Sequence, residues 1–518
     1  MPQSSQNGRE LAPTIARNTI FGLVATITYV ATRLITVPIV IRYLGLDGYG
    51  IWSIIMVTAA YMRMGSAGIK CAFQKYVAEA TGTGDFERAN RLISTGTALM
   101  FAVSVLAVTP IFIFSTKLAV LAGVPGKFVH DASSSISLLA FIIFVANTGA
   151  GFEAIVTGAQ RFDLVRKINI IGALGEAICI VVLLHYGKGL FAMSAVMAVS
   201  ELSYICYCVF VSRRILPQVR IAPRYVTRSV LKEFVLFAGS YQLVNIQEVL
   251  YNTILPVAVL KYFGAVASGA YAVAARLVQA CMMPQDSFLL PILSGGTLVF
   301  ASGKVEEKMQ LVLKAFKTSF ALCIIPLSVI CAAGSTIVFA WTGRESPQIE
   351  HTLLLLSLAG IFHALSLLQL ILYRAAGKSL MDNIRQAIRI TLLLAIGGMG
   401  KHLGLIGLLE GLAFTEFAGM TFMFFVMHHA FPWFKMRLLL PDLLRVAMVA
   451  CATAILSRLV VQIPIPWLVT ERSIALVRTC AIGSFTLAAA VPLMLLTKAL
   501  SATEFHVIRR LIPGQSAS

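Results

Sequence analysis

The sequence YLGLDGYG, residues 43–50, joins two long apolar segments within residues 17–93, and the second segment ends in a basic polar loop. Clustered glycine and aspartate between apolar runs are typical of a tight turn. Each run exceeds the roughly 20 residues that an α-helix needs to cross a bilayer. The stretch therefore predicts two membrane helices joined by a short turn.

The composition of the whole chain agrees with a membrane location. Of its 518 residues, 58% are hydrophobic and 13% are charged, and the mean hydropathy is +0.85. A water-soluble globule of this length cannot hide so much apolar surface. The apolar runs are continuous and do not alternate at period two, which favours helices over a β-barrel. We therefore expect an all-α integral membrane protein.

Uncharged runs and the turns between them predict about fourteen transmembrane helices. The predicted ranges are 17–44, 49–78, 92–115, 132–156, 168–186, 190–212, 234–260, 269–298, 316–340, 351–373, 385–400, 405–427, 443–463 and 474–497. The eleventh helix is short and carries Arg385 and Arg389 at its start. The loops predicted on the non-cytoplasmic side are short, the longest being 116–131, so none would hold a folded catalytic domain.

The net charge of +19 is spread among the apolar runs and forms no nucleic-acid-binding motif. Counting basic residues in alternate loops places about 29 of the 42 on one side of the membrane, including Arg374 to Arg389, and about 9 on the other. Because cytoplasmic loops carry the excess, this pattern predicts that both termini are cytoplasmic.

A second copy of the opening unit begins about 219 residues later. At this offset the turn at 43–45 meets Tyr262-Phe263-Gly264, and Gly84-Asp85 meets Gly303-Lys304. His185-Tyr186-Gly187 meets His402-Leu403-Gly404 at offset 217. The period spans six predicted helices, an even number, so the two copies share one orientation in the membrane. This predicts two pseudo-symmetric six-helix lobes followed by two extra helices.

The repeat divides the chain into six predicted regions. These are a cytoplasmic N-terminus (1–16), an N-lobe (17–212), a basic cytoplasmic linker (213–233), a C-lobe (234–427), helices thirteen and fourteen (428–497) and a cytoplasmic tail (498–518). Lobes of this kind rock about a site between them, so the architecture favours a transporter that works by alternating access.

Polar residues recur at helical spacing inside two predicted membrane helices. In helix one the stripe includes Thr26, Tyr29, Arg33 and Thr36, and in helix seven it comprises Tyr241, Asn245, Glu248 and Asn252. Charges inside a bilayer face protein or water, because lipid does not solvate them. Each stripe therefore predicts the wall of a central cavity.

Arg33 and Arg63 lie near the middle of predicted membrane helices and Arg276 lies inside the eighth. A guanidinium fork matches the oxygens of a phosphate group. We expect a cationic substrate-binding cavity whose residues are Arg33, Arg63, Arg276, Tyr29, Asn245 and Asn252. The alternative is that each arginine pairs with an intramembrane carboxylate and only locks two helices together.

Six glutamates also fall within predicted helices. Glu248, Glu153 and Glu416 are candidates for ion coupling, since a buried carboxylate switches charge near neutral pH. The alternative is a structural role as partners of the arginines or as interhelical hydrogen-bonding groups. Pro38 and Pro256 occupy matching places in helices one and seven, where they are expected to kink the helices and are candidate hinges.

The sequence predicts no catalytic residues, resident metal or cofactor. It lacks the glycine-rich segment that cradles nucleotide phosphates, and no predicted loop is large enough for a nucleotide-binding domain. Transport by this chain would be ion-driven or downhill, and we do not expect an enzyme.

The stretch 42–52, Asn18-Thr19 at the start of helix one, and Gly84-Asp85 before helix three resemble the bacterial polysaccharide flippases. These belong to the multidrug, oligosaccharidyl-lipid and polysaccharide exporter superfamily. The resemblance covers nearly the whole chain and is strongest over 17–93. It implies fourteen helices in two lobes and a location in the bacterial inner membrane.

The resemblance also implies a substrate: an undecaprenyl-pyrophosphate-linked oligosaccharide repeat unit, moved across the membrane for surface polysaccharide synthesis. A polysaccharide polymerase and chain-length proteins are the implied protein partners, alongside membrane lipid and no nucleic acid. Many relatives carry an acidic residue where this chain has Arg63, which implies a more cationic cavity here.

Three alternative functions remain open at this point. A flippase for the peptidoglycan precursor would also need a basic cavity. A cation-coupled drug or metabolite antiporter of the same superfamily would prefer an anionic cavity, which the central arginines oppose. A membrane-embedded polysaccharide polymerase or ligase would usually need a sizeable external loop.

Overall fold

The computed structural model describes residues 4–64, 73, 85–159, 161–302, 304–343, 347–375, 380–463 and 470–496. Within these ranges all regular structure is helical, as the sequence predicts. We number the α-helices of these ranges as α1 Ser4–Met64, α2 Phe86–Ile113, α3 Ser115–Leu121, α4 Gly126–Gly158, α5 Phe162–His185, α6 Leu190–Ile215, α7 Arg228–Ser302, α8 Val305–Thr342, α9 Pro347–Ala375, α10 Leu380–Gly398, α11 Gly400–Ala430, α12 Met436–Gln462 and α13 Glu471–Leu496.

Two of these helices are broken in the middle by a glycine. α1 has 61 residues and α7 has 75, and both are far longer than a bilayer crossing needs. Gly45 has φ 78° and ψ 174°, and Gly264 has φ 82° and ψ −179°, a conformation in which only glycine is unstrained. α1 and α7 therefore each consist of two helical arms joined at a glycine.

The backbone repeats at the offset that the sequence predicts. Gly45 and Gly264 are 219 residues apart and share the same unusual φ and ψ. Gly187 and Gly404, at offset 217, also share a positive φ, 72° and 70°. The internal repeat predicted from the sequence is thus also present in the backbone conformation.

The described residues contain eleven helices long and apolar enough to cross a membrane. Two of these, Thr28–Ala60 and Ile246–Asp286, contain the glycine breaks and so supply two crossings each. α10 adds the last, and the fourteen predicted helices are confirmed. Large apolar side chains remain exposed on many helices, among them Leu106, Ile171 and Phe425, as expected for surfaces that face lipid.

Pro38 and Pro256 lie seven and eight residues before the two breaking glycines. Around both prolines the backbone keeps helical dihedral angles, and within α1 and α7 the departure occurs at Gly45 and Gly264. The two breaks thus fall in the turns predicted at 45–48 and 261–268, between the predicted helices. A hinge role for the two prolines stays a prediction.

The chain divides into two compact units, Met1–Gly269 and Ala270–Ser518. In the first, α4 packs against α2 and α6, and α5 packs against the first arm of α1. In the second, α8 packs against α9, α12 and α13, and α11 packs against α9 and α10. The predicted lobe boundaries, which lie elsewhere along the chain, stay a prediction.

The first unit includes a close crossing of two equivalent segments of the repeat. A Cβ atom on Gly50 would lie 2.2 Å from the carbonyl oxygen of Ala265, and one on Gly269 would lie 2.0 Å from that of Leu46. The Ser268 hydroxyl donates to the Gly50 carbonyl oxygen at 3.4 Å. Only glycine fits at both positions, because any side chain there would overlap backbone atoms.

The linker between α6 and α7 is shorter than predicted. α6 continues to Ile215 and includes Arg213 and Arg214, whereas α7 already starts at Arg228. The prediction ended these helices at the last apolar residues, but arginine is a good helix former and the helices extend beyond their apolar part. The linker is therefore residues 216–227, with one short 3-10 turn at Pro223–Tyr225.

Candidate functional site

Arg33 lies on the first arm of α1, where its guanidinium group meets a carboxylate of α5. Its Nη2 atom is 2.9 Å from Oε1 of Glu176. The guanidinium carbon is also 5.1 Å from the ring centroid of Tyr29, one helical turn earlier. The side chains of Arg33 and Glu176 are 23% and 12% exposed, so the pair is largely withdrawn from the surface. In this conformation the first unit neutralises Arg33 internally.

A small cleft surrounds this ion pair. Thr32 and Thr36 of α1 line it together with Ala173, Ala177 and Ile180 of α5. The two threonine hydroxyls donate to carbonyl oxygens of the preceding turn of α1. Because the hydroxyl hydrogens are engaged in these bonds, the hydroxyl oxygens face the cleft only as hydrogen-bond acceptors. Arg33 is the cationic group among the residues that line the cleft.

The second copy of the stripe carries the opposite charge. At offset 219, Tyr29 and Arg33 correspond to Glu248 and Asn252 on the first arm of α7. The Asn252 amide donates to Oε1 of Glu248 at 3.0 Å. The predicted stripe residue Asn245 lies outside the described side chains, as does Tyr241. The structure therefore brings Glu248 and Asn252 together as a polar pair one helical turn apart.

Arg276 lies on the second arm of α7, within a candidate membrane span. It is half-buried, and the described part of the chain offers its guanidinium no hydrogen bond or ion pair. Arg276 follows Gly264 by twelve residues, just as Arg33 precedes Gly45 by twelve. At 1.5 Å per residue each arginine is about 18 Å along its helix from the break, near the middle of a roughly 30 Å bilayer core.

The side chain of Arg63 lies outside the described set, although its backbone belongs to α1. Its predicted place in the cavity stays a prediction. Glu153 of α4 is half-buried and interacts with Tyr204 and Cys208 of α6. That environment is compatible with either of the roles predicted for Glu153, ion coupling or interhelical contact.

The second unit contains a buried charged cluster that joins three helices. Arg389 of α10 donates through Nη2 to Oε1 of Glu416 on α11. Nδ1 of His363 on α9 lies 3.1 Å from that Nη2 atom and 3.3 Å from Oε2 of Glu416. Arg389 is completely buried, and the Glu416 side chain is 5% exposed. Glu416 is thus held by a permanent cation and packed between helices.

Arg385 and Arg389 lie in a helix, as the predicted range 385–400 has it, and their inclusion among the basic residues of a cytoplasmic loop is wrong. Both are among the most deeply buried large side chains of the described residues. Arg385 donates to the Ser366 hydroxyl at 3.0 Å and lies 3.5 Å from Asp382. The available signal was the i, i+4 spacing of the two arginines, which places both on one face of α10.

Solved transporter structures share this fold at low sequence identity. The lipid II flippase MurJ, in an inward closed conformation, aligns over 92% of this chain and 99% of its own with a TM-score of 0.70 and 13% identity. An inward-facing multidrug resistance transporter of the MATE family, from the MOP superfamily, gives a TM-score of 0.66 and 16% identity. That alignment covers 80% of this chain and 98% of the transporter.

A MOP superfamily transporter from Pyrococcus furiosus gives a TM-score of 0.59 and 15% identity over 80% of this chain and 95% of its own. At such identities these likenesses concern the fold alone. Among curated protein sequences, no relative matches significantly.

A sequence model described as polysaccharide biosynthesis protein matches residues 15–295, which is more than half of the chain. The match contains the 17–93 stretch from which the resemblance was drawn, and that resemblance is confirmed. The chain belongs to the polysaccharide biosynthesis protein family and has the multi-pass helical fold of the MOP superfamily transporters.

Proposed function

We propose that this protein moves undecaprenyl-pyrophosphate-linked oligosaccharide repeat units across the bacterial inner membrane by alternating access. The repeat units would supply a surface polysaccharide such as O-antigen, capsule or exopolysaccharide. Both termini are cytoplasmic in this proposal, and a polysaccharide polymerase and chain-length proteins are the proposed partners. The protein is proposed to be a transporter and not an enzyme.

The observation that carries the proposal is that Arg276 lies within a membrane span and that its guanidinium has no hydrogen bond or ion pair among the described residues. A lone cation at the centre of a bilayer costs at least about 2.5 kcal/mol even on lenient insertion scales. Such a cost is offset when an anionic ligand arrives. A pyrophosphate supplies several oxygens that a guanidinium fork can bind in pairs.

Arg33 is proposed as the second substrate contact. Its ion pair uses Nη2, and the side chain keeps a 23% exposed fraction through which a stronger anion can approach. A pyrophosphate carries more negative charge than one carboxylate, so it can compete with Glu176 for the guanidinium. Tyr29, Asn245, Asn252 and Arg63 remain proposed substrate-binding residues.

Glu248 is the proposed ion-coupling residue. It lies on the stripe of α7, and its pair with Asn252 is exposed, which leaves the carboxylate accessible to a proton or a sodium ion. Glu416 is the weaker candidate, because Arg389 already neutralises it. Glu153 stays a candidate next to Tyr204.

The proposal is tested in a strain from which the gene is deleted. We expect surface polymer to disappear and lipid-linked repeat units to accumulate inside the cell. Complementation with Arg276→Ala or Arg33→Ala should restore polymer poorly. Arg437→Ala is the matched control, because Arg437 is an exposed arginine at the start of α12. Full rescue by both cavity variants would refute the cationic site.

The same strain separates the proposal from its rivals. Lysis with a normal amount of surface polymer would indicate a flippase for the peptidoglycan precursor. Altered resistance to cationic compounds with intact polymer would indicate an antiporter. Accumulation of repeat units on the outer face of the membrane would indicate that the deleted protein is a polymerase or ligase and not the flippase.

A further inference from the structure

The linker 216–227 is fixed to the first unit by three buried side chains of α2. Each side chain accepts a hydrogen bond from a backbone N–H group of the linker. The pairs are Arg220 N to Asn90 Oδ1 at 2.6 Å, Ala222 N to Ser94 Oγ at 3.1 Å and Thr227 N to Thr95 Oγ1 at 3.1 Å. Because the acceptors are buried, water competes poorly for these bonds and the linker backbone is held in one path.

Apolar side chains of the linker strengthen this attachment. Val219 is buried in a cluster with Leu92 and Ile93 of α2. Leu216 and Ile221 pack against the same cluster. The linker therefore has an inner face that is part of the core of the first unit, and it is not a loose hinge.

The outer face of the linker and its two flanking helix ends is strongly basic. Six cations lie on this surface, namely Arg213, Arg214, Arg220, Arg224, Arg228 and Lys232. All six are exposed, and the chain has no acidic residue from 202 to 232. None of the six forms an ion pair with a carboxylate in the described part of the chain. We call this surface the linker basic face.

Two of these arginines rest on aromatic rings. The guanidinium of Arg214 lies 4.4 Å from the ring centroid of Phe210. That of Arg224 lies 4.8 Å from the ring of Tyr225 and donates to its hydroxyl at 3.0 Å. Stacking restricts both side chains and leaves their outer N–H groups unpaired. The combination of arginine with aromatic residues is typical of a membrane interface.

The length of α6 places the linker basic face at the bilayer surface. α6 has 26 residues and is about 39 Å long, whereas the hydrocarbon core is roughly 30 Å thick. Because lipid does not solvate the charges of Arg213 and Arg214 in the last turn, that end of α6 extends beyond the hydrocarbon core into the headgroup layer. Val226 is exposed beside the cations, which also suits a surface that meets lipid.

We propose that the linker basic face binds the anionic phospholipid headgroups of the leaflet in which α6 ends. Clusters of four to eight basic residues directly beside a membrane helix attract such lipids. Phosphate groups of that leaflet are anions within reach of six cations that have no carboxylate partner among the described residues. The site is separate from the proposed substrate site, and its lipid binding does not depend on which substrate the protein moves.

The test uses the detergent-solubilised full-length protein, titrated with phosphatidylglycerol or phosphatidylcholine and followed by native mass spectrometry. The test variant combines Arg220→Gln, Arg224→Gln and Arg228→Gln. The matched control combines Lys117→Gln, Lys188→Gln and Lys261→Gln. It removes the same charge from exposed positions of the first unit that lie outside the linker basic face. Thermal unfolding verifies that both variants are folded.

Each basic residue at an anionic membrane surface contributes about fivefold to binding. We therefore expect the test variant to bind phosphatidylglycerol at least about tenfold more weakly than the native protein, with phosphatidylcholine unaffected. The control should stay within about twofold of the native protein. Equal losses in both variants, or no loss in either, would overturn the proposal.

A second variant separates the fixed path of the linker from its charge. Asn90→Ala combined with Ser94→Ala keeps all six cations and removes two of the backbone attachments. We expect the preference for phosphatidylglycerol to fall severalfold. Displacement of the lipid by inorganic phosphate, or tighter binding of an acidic polynucleotide than of phosphatidylglycerol, would assign the face to another ligand and overturn the proposal.

Discussion

Arg33 of α1 and Glu176 of α5 form an ion pair of 2.9 Å between Nη2 and Oε1. Arg33 and Arg276 each lie twelve residues from a glycine break, but their ion pairing differs in this conformation. Arg33 is neutralised by its own unit, whereas Arg276 has no partner in the described residues. An anion that binds Arg33 would have to replace Glu176, whereas Arg276 has no such competitor among the described residues.

The Arg33–Glu176 pair should show measurable coupling. Arg33→Gln and Glu176→Gln each leave one charge unpaired in a membrane helix, so each should lower the free energy of unfolding by about 2 kcal/mol. The double variant should lose less than the sum, because it leaves no lone charge. Chemical unfolding in detergent micelles measures the cycle. The exposed pair Glu87–Arg91 is the control, and comparable coupling in both pairs would contradict the buried character of the first.

Arg276→Gln should separate stability from function. Arg276 has no partner in the part of the chain that the structure describes, so removing its charge relieves a desolvation cost and the unfolding midpoint should stay the same or rise. Transport should nevertheless fall at least about tenfold, because a lost charged hydrogen-bond partner is worth roughly 1.5–3 kcal/mol. Arg276→Lys keeps the charge without the fork and should recover part of the activity. A destabilised but fully active Arg276→Gln protein would show that the residue has only a structural role.

Arg389→Gln should lower the stability of the fold, in contrast to Arg276→Gln. Arg389 is completely buried and pairs with Glu416, so its loss leaves a buried carboxylate without the cation that neutralises it. Breaking such a pair costs about 3–5 kcal/mol. We expect a large drop in the unfolding midpoint, partly recovered by adding Glu416→Gln. Arg437→Gln, the exposed control on α12, should leave the midpoint unchanged. An unaffected Arg389→Gln protein would show that the cluster contributes little to the fold.

Gly50 and Gly269 should tolerate no side chain. A Cβ atom at either position would overlap a backbone carbonyl oxygen of the crossing segment. Gly50→Ala or Gly269→Ala should therefore push the two segments apart and lower the unfolding midpoint by several degrees. Gly175→Ala on α5 is the control, because nothing lies within 4 Å of its Cβ position. Equal stability of all three variants would contradict this close approach.

Much of the fold could be predicted from the sequence because membranes impose simple rules. Long apolar runs must become helices, and the turn glycines Gly45 and Gly264 carry the repeat in both sequence and backbone. Helix ends were less predictable. The linker and the ends of α6 and α7 differ from expectation because basic residues continue a helix past the apolar part without changing its geometry.

The site was predicted less completely than the fold. Helical spacing placed Tyr29 and Arg33 on one face, which the structure confirms through their ring contact. The partner of Arg33 could not be chosen among six intramembrane glutamates, because pairing depends on how α5 packs against α1. Arg385 and Arg389 were misplaced for the same reason. Their burial is possible only when Ser366, Asp382 and Glu416 surround them.

The most direct test of the substrate site is the binding of undecaprenyl pyrophosphate to the purified full-length protein. Native protein, Arg276→Gln and the exposed control Arg437→Gln are compared by the same titration in detergent. The native protein and the control should bind alike, and Arg276→Gln should bind at least about tenfold more weakly. Equal binding by all three proteins would contradict the assignment of Arg276 as the receptor of the pyrophosphate.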